Sequence, residues 1–245
     1  MTAKPTTSLF DYGSRIAFYD ELPKKGKSVL AIGESGCGKT HFIGTAPSPF
    51  VLDYDKGGET LRALHIPHLV FNWGEQVMDL TRKILLDARD STGPFDGHPY
   101  ETLGVDSYSA FDLMVMDELM RHPKNPKWKV KDPTADKPEF DHWGAKKAYL
   151  IEITSLLQDI AQHMNVIVTT TVRVNDDPST RKTKGLPEMD GSIRGILGRF
   201  FDYVLHLEDK GDTYIANTRP KGIYIAKSRG TLPDVIVNPK FADLL

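Results

Sequence analysis

The stretch that most constrains the fold is GESGCGKT, which fits the pattern G-x-x-x-x-G-K-[ST]. An apolar run, 28–32, precedes it and a short helix-compatible segment, 41–43, follows it. Glycines let such a loop wrap closely around phosphates and point its amide N–H groups inward. We therefore expect a strand–loop–helix unit that binds a nucleoside triphosphate with Mg²⁺. The lysine should reach the β- and γ-phosphates and the threonine should hold the metal. The expected binding residues are Gly33, Glu34, Ser35, Gly36, Cys37, Gly38, Lys39 and Thr40.

Length and composition fit one sizeable globular domain. The chain has 245 residues, of which 26% are charged and 40% hydrophobic. We expect a polar N-terminal segment, 1–26, followed by a single domain, 27–245. The net charge of −2 provides no global basic field, so any contact with nucleic acid must come from local patches.

The expected location is the cytoplasm. The single cysteine, Cys37, excludes an intramolecular disulfide and fits a reducing compartment. Its place in the loop makes a reactive thiol one alternative, but we favour a small side chain that is tolerated there. The N-terminus lacks an apolar signal core, and no apolar run reaches the roughly 20 residues of a membrane helix, so we expect no membrane partner.

The apolar pattern predicts an α/β fold: a mostly parallel twisted sheet flanked by helices, with a C-terminal antiparallel strand extension. Two long polar loops, 123–142 and 174–193, interrupt the alternation. The back of the chain, 201–237, reads as a meander of short strands separated by turns. The predicted core strands are 28–32, 50–53, 69–71, 102–106 and 165–171, the longer helices are 76–89, 111–120 and 146–163, and the meander strands are 201–207, 212–218, 222–227 and 234–237.

Two carboxylates at strand ends are candidates for hydrolysis chemistry. Asp106 ends an apolar strand, as a Walker-B aspartate does, and would hold Mg²⁺; the alternative is a cap on the next helix. Asp55 follows another strand at the same expected sheet edge and could be the general base for attacking water. Asp53 and Glu59 compete for that role.

The order of the phosphate loop, the carboxylate turn 53–58, Val105-Asp106-Ser107 and the strand 166–171 resembles the RecA-like ATPases. The specific resemblance is to the short, core-only phage-type members of the single-strand-annealing or recombinase group, and it spans about residues 27–230. It implies DNA-dependent ATP hydrolysis in recombination, annealing or replication. It also implies that Asp55, one methylene shorter than the usual glutamate, is the base. Thr171 then stands where RecA has its glutamine sensor.

Ala226-Lys227-Ser228-Arg229-Gly230 is similar to the Lys-x-Arg of DnaB-type helicases and KaiC-type ATPases. In those proteins the two cations reach the nucleotide of a neighbouring subunit. The similarity implies that Lys227 and Arg229 complete a site in trans, which requires a homo-oligomeric ring or filament. The alternative is an exposed basic turn.

The two long loops match the positions of the loops with which RecA-like proteins bind single-stranded DNA. Lysines interleaved with an aromatic residue can grip a backbone and stack a base, although acidic residues dilute both loops. A single-stranded-DNA-binding protein is a further implied partner. The expected DNA-binding residues are Lys124, Lys127, Trp128, Lys129, Lys131, Arg181, Lys182 and Lys184.

The sequence also leaves other functions open. A ring motor resembling the DnaB core would share the Lys227 and Arg229 signal, and a nucleotide switch or DNA-binding module would bind ATP without turnover. An AAA+ remodeller is less favoured, because the chain ends in predicted strands and not in a helical lid. A small-molecule kinase is a further alternative, although the sequence contains no Arg-rich lid segment.

Overall fold

The structure, a computed structural model, describes residues 25–121, 137–177 and 182–245. Strands and helices alternate through the first two thirds of the chain. The strands are β1 (Ser28–Gly33), β2 (Pro49–Asp53), β3 (His68–Val70), β4 (Thr102–Asp106), β5 (Asn165–Thr170), β6 (Val172–Asp177), β7 (Lys182–Pro187), β8 (Tyr203–Asp209), β9 (Tyr214–Asn217) and β10 (Val235–Val237). The helices are α1 (Lys39–Gly44), α2 (Gly58–Ala63), α3 (Val77–Asp90), α4 (Tyr108–Arg121) and α5 (Phe140–Ile160).

Within the described residues, eight strands form one sheet in the order β10-β9-β8-β1-β5-β4-β2-β3. From β8 to β3 every neighbouring pair is parallel, and β9 and β10 add antiparallel strands at one edge. This confirms the predicted α/β class with an antiparallel C-terminal extension. Because β8 runs parallel to β1, the extension continues the main sheet from its edge.

Helices cover both faces of the sheet, and two apolar clusters fill the layers. On one face, α3, α4 and α5 pack over side chains that include Leu30, Val105 and Val168. On the other face, α1, α2 and the last turn of the chain pack over Val29, Ala31 and others. The side chains of each strand alternate between these layers, as a sheet buried on both faces requires.

Three predictions differ most from the observed elements. α5 begins at Phe140, not at 146, and Glu139 starts it with a capping box in which its backbone N–H donates to His142 Nδ1 at 3.2 Å. The second predicted loop instead contains the antiparallel hairpin of β6 and β7. The predicted strand 222–227 forms only isolated bridges, such as Val204 with Lys227.

Candidate active site

The loop from Gly33 to Thr40 joins β1 to α1, as the sequence predicts. Gly36 and Gly38 have φ of 82° and 85°, a conformation that side chains with a Cβ avoid. Within the described residues, the amide N–H groups of Gly36, Gly38 and Thr40 donate no hydrogen bond to protein. These donors suit phosphate oxygens, and they have no competing acceptor.

Lys39 lies over the start of this loop. Its Nζ donates to the carbonyl oxygens of Gly33 at 2.8 Å and Glu34 at 2.6 Å. The flexible four-carbon stem lets the ammonium exchange such neutral acceptors for phosphate oxygens, which bind it more strongly.

Cys37 is a packing residue of the loop. Its side chain is buried, and burial raises the pKa of its thiol above the usual value. A Cβ on Gly33 would lie 2.4 Å from its Sγ. The thiol therefore fills space under the loop in its neutral form, which agrees with the interpretation of Cys37 as a tolerated small side chain.

The metal-binding pair predicted from sequence is in contact. Thr40 Oγ1 donates to Asp106 Oδ2 at 2.6 Å, and Thr169 Oγ1 donates to Asp106 Oδ1 at 2.5 Å. Burial raises the pKa of Asp106, while these two hydrogen bonds act in the opposite direction. The hydroxyl and the carboxylate fit Mg²⁺, which commonly takes one or two protein oxygens and completes its shell with phosphates and water. The described residues hold no cluster of three His, Cys, Asp or Glu that could bind a metal without a nucleotide.

The two candidate base residues at the end of β2 have different environments. Asp53 pairs in register with Asp106 but is wholly buried, and its Oδ1 accepts the Gly57 N–H at 3.2 Å. Burial raises the pKa of Asp53. Asp55 is exposed, and its backbone N–H donates to the Asp106 carbonyl oxygen at 3.3 Å. Geometry therefore favours Asp55 as the water-accessible carboxylate and gives Asp53 a role in holding the turn.

A cavity of about 340 Å³ opens beside Asp55. Its lining includes Asp55, Ser107, Trp73, Thr171, Arg173 and Asp190. Thr171, the residue predicted as a sensor, shares this cavity with Asp55, and its backbone N–H donates to Ser109 Oγ at 3.0 Å. The sequence reading missed Thr169, which lies on the Asp106 face of β5. The alternation of β5 could have identified it, because residue 169 shares a strand face with Ile167, which belongs to the apolar cluster beneath α1.

Arg229 lies near the start of β8, at the end of that strand opposite the phosphate loop of its own chain, and Lys227 bridges to Val204 of the same strand. Lys227 Nζ donates to the Gly198 carbonyl oxygen at 3.0 Å, and burial lowers the pKa of Lys227. Arg229 Nε is 3.0 Å from Asp202 Oδ1, at the start of β8. Neither cation belongs to the site within its own chain, so the trans role stays a prediction.

Most of the predicted DNA-binding residues fall outside the described part of the chain. Lys184 is exposed on β7 and pairs in register with Asn175 of β6. The backbone of Lys182 begins β7. The remaining residues lie outside the described ranges: Lys124, Lys127, Trp128, Lys129, Lys131 and Arg181.

Among the described residues, no helix has both the length and the apolar character needed to cross a membrane. No curated protein matches the chain. A family described as an AAA domain matches residues 25–230, which include the phosphate loop, Asp55 and Asp106. This match agrees with the predicted P-loop ATPase but does not name the RecA-like branch. The chain belongs to this AAA domain family of nucleotide-binding P-loop ATPases.

Proposed function

We propose that this ATPase is RecA-like in the phage-type sense and couples ATP hydrolysis to single-stranded DNA in recombination, annealing or replication. The observation that carries the proposal is the cavity shared by Asp55 and Arg173. One side of the cavity lies next to Asp106 and Thr40. The other side is formed by Arg173 of β6 and by residues 188–190, which follow β7. The hairpin of β6 and β7 matches the sequence position at which RecA-like proteins carry a DNA loop.

In this proposal, different residues bind the phosphates, hold the metal and accept the proton of the attacking water. Loop amides and Lys39 would bind the phosphates, and Thr40 with Asp106 would hold Mg²⁺, whose charge would offset that of the phosphate oxygens. Asp55 is exposed and can take a proton from a water molecule in the cavity. Asp53 cannot do so, because it is wholly buried.

One strand connects this chemistry to the proposed DNA surface. Thr169 of β5 holds Asp106, and β6 begins two residues after β5 ends. A movement of the hairpin on DNA would therefore reach Asp106 through a short, hydrogen-bonded segment. Exposed Arg173 and Lys184 on the hairpin can contact backbone phosphates, and Trp73, 54% exposed, can stack a base.

The direct test is ATP turnover with and without a single-stranded oligonucleotide. We expect DNA to stimulate turnover and Lys39→Ala to abolish it. The double variant Arg173→Ala/Lys184→Ala should need more DNA for half-maximal stimulation and show a smaller salt dependence, because two phosphate contacts are lost. Lys83→Ala, which removes an exposed cation on α3, is the matched control.

Other outcomes would contradict the proposal in distinct ways. ATP binding without turnover under any condition would favour a nucleotide switch. ATP turnover that single-stranded DNA does not change would show an ATPase that does not act on single-stranded DNA. Directional unwinding of a duplex would favour a ring motor.

We also propose that Arg229 acts in trans within a homo-oligomer. The Arg229→Ala variant would then keep an intact phosphate loop but lack the cation that acts on the neighbouring subunit. The Lys39→Ala variant would keep that cation but have an inactive phosphate loop. Mixing the two inactive variants should restore part of the ATP turnover, since some interfaces between them pair an intact phosphate loop with an intact Arg229. Failure of every mixture to regain activity would rule the trans role out.

A further inference from the structure

Tyr214 lies beside the phosphate loop, although the sequence reading gave it no role. It begins β9, where it pairs with Asp209 of β8. Two residues earlier in β8, Leu207 pairs with Ala216 on one side and with Gly33 on the other. Tyr214 therefore extends past the same sheet edge as the loop. It also shares the strand face of Ala216, which belongs to the apolar cluster beneath α1.

The ring of Tyr214 packs against the loop itself. A Cβ built on Gly38 would lie 3.3 Å from two ring atoms. The backbone of Tyr214 is held on both sides by Asn238, whose Oδ1 accepts its N–H at 3.1 Å and whose N–H donates to its carbonyl oxygen at 2.7 Å. The residue is nevertheless 38% exposed. A fixed aromatic ring is thus open to solvent next to the phosphate-binding amides.

The candidate site extends across several strands of the sheet, and Tyr214 lies at one end of it. Asp106 on β4 lies two strands from β1 on one side, with Asp55 beyond it after β2. Tyr214 on β9 lies two strands from β1 on the other side, about 10 Å away at the usual strand spacing. The γ-phosphate must approach the metal ligands and Asp55. A triphosphate that binds along the loop with its γ-phosphate near Asp106 and Asp55 therefore has its nucleoside near β8 and β9.

We propose that the nucleobase of bound ATP stacks on the ring of Tyr214; this inference rests on the nucleotide-binding function of the loop. Stacking on an aromatic ring suits any base, because every base has a π-face, and it adds affinity without contacting the phosphates. Tyr214 would then contribute to binding of the nucleoside and not of the phosphate chain.

Calorimetric titration with Mg²⁺-ATP and with Mg²⁺-tripolyphosphate separates the two contributions. Tyr214→Ala should weaken ATP binding about 5- to 150-fold, the range found when a stacking residue is truncated, and leave tripolyphosphate binding unchanged. Tyr214→Phe should bind both ligands like the parent chain. Val237→Ala, which truncates an exposed side chain on neighbouring β10, is the matched control and should change neither.

Two results would overturn the inference. Unchanged ATP binding by Tyr214→Ala would show that no base rests there. Equal weakening of ATP and tripolyphosphate would show that the ring only supports Gly38. Lys39→Ala is the separate check on the loop, and if it bound both ligands like the parent chain, the loop function would fail and not the stacking.

Discussion

Lys146 and Asp112 form a buried ion pair whose removal should cost a large part of the stability. Lys146 Nζ lies 2.7 Å from Asp112 Oδ2, and the two side chains are 2% and 1% exposed. The pair joins α5 to α4 beneath the cavity wall, and Lys146 also reaches Asp190 at 3.5 Å. Asp112 Oδ1 has no hydrogen-bond partner within the described residues, so Lys146 is the main compensation for its charge.

Lys146→Met removes that compensation and leaves a buried carboxylate. Breaking such a pair costs about 3–5 kcal/mol, against a total stability of about 5–15 kcal/mol for a typical domain. The double variant Asp112→Leu/Lys146→Met should recover most of the loss, because no charge remains to be buried. Denaturant unfolding followed by circular dichroism gives the free energies.

The pH dependence of the single variant provides an independent check. Burial raises the pKa of Asp112, and Lys146 opposes that rise, so its removal raises the pKa further. A carboxyl group whose folded pKa is raised binds more protons in the folded than in the unfolded chain. Stability should then fall as pH rises above about 4, by up to about 1.4 kcal/mol per pH unit. A loss under 1 kcal/mol at pH 7, or a double variant no more stable than the single one, would refute this reasoning.

Three further predictions concern the loop, the metal ligand and the edge of β8. Gly33→Ala places a Cβ 2.5 Å from the Leu207 carbonyl oxygen, so it should lower ATP affinity and cost about 1–3 kcal/mol in thermal or denaturant unfolding. Thr169→Val removes the donor to Asp106 Oδ1, and should raise the Mg²⁺ concentration needed for half-maximal turnover. Burial acts to raise the pKa of Asp202, but hydrogen bonds from Ser28 and Lys25 outweigh it and lower that pKa overall. Its stabilisation is therefore present above the unfolded pKa of about 4 and is lost as pH falls. Asp202→Asn should be less stable at pH 7 and lose less of its stability between pH 5 and pH 3, which unfolding midpoints would show.

Local sequence signals were enough to predict the loop and its proximity to Asp106. The pattern Gly33–Thr40 needs its residues at fixed spacing, and Asp106 ends an uninterrupted apolar strand. Parallel pairing then places both at one sheet edge, whichever strands lie between them. The α/β class followed from the same apolar runs.

Features that depend on tertiary contacts could not be predicted in this way. The polar, charged composition of β6 and β7 favours a loop prediction, since their residues show little regular alternation of apolar and polar side chains. The start of α5 is followed closely by Gly144 and depends on a capping contact with His142. Tyr214 meets Gly38 only because β8 inserts beside β1, a pairing that no local pattern reveals.

The most direct test of the active-site account is single-turnover hydrolysis of ATP by Asp55→Asn beside Glu59→Gln. Asp55 lies in the cavity next to Asp106, whereas Glu59 is exposed on α2 and does not line that cavity. The account predicts that Asp55→Asn lowers the rate constant by about 10²- to 10⁴-fold, with ATP affinity within about threefold of the parent chain. Glu59→Gln should hydrolyse ATP at the parental rate. An Asp55→Asn variant that hydrolyses ATP as fast as the parent chain would contradict the account.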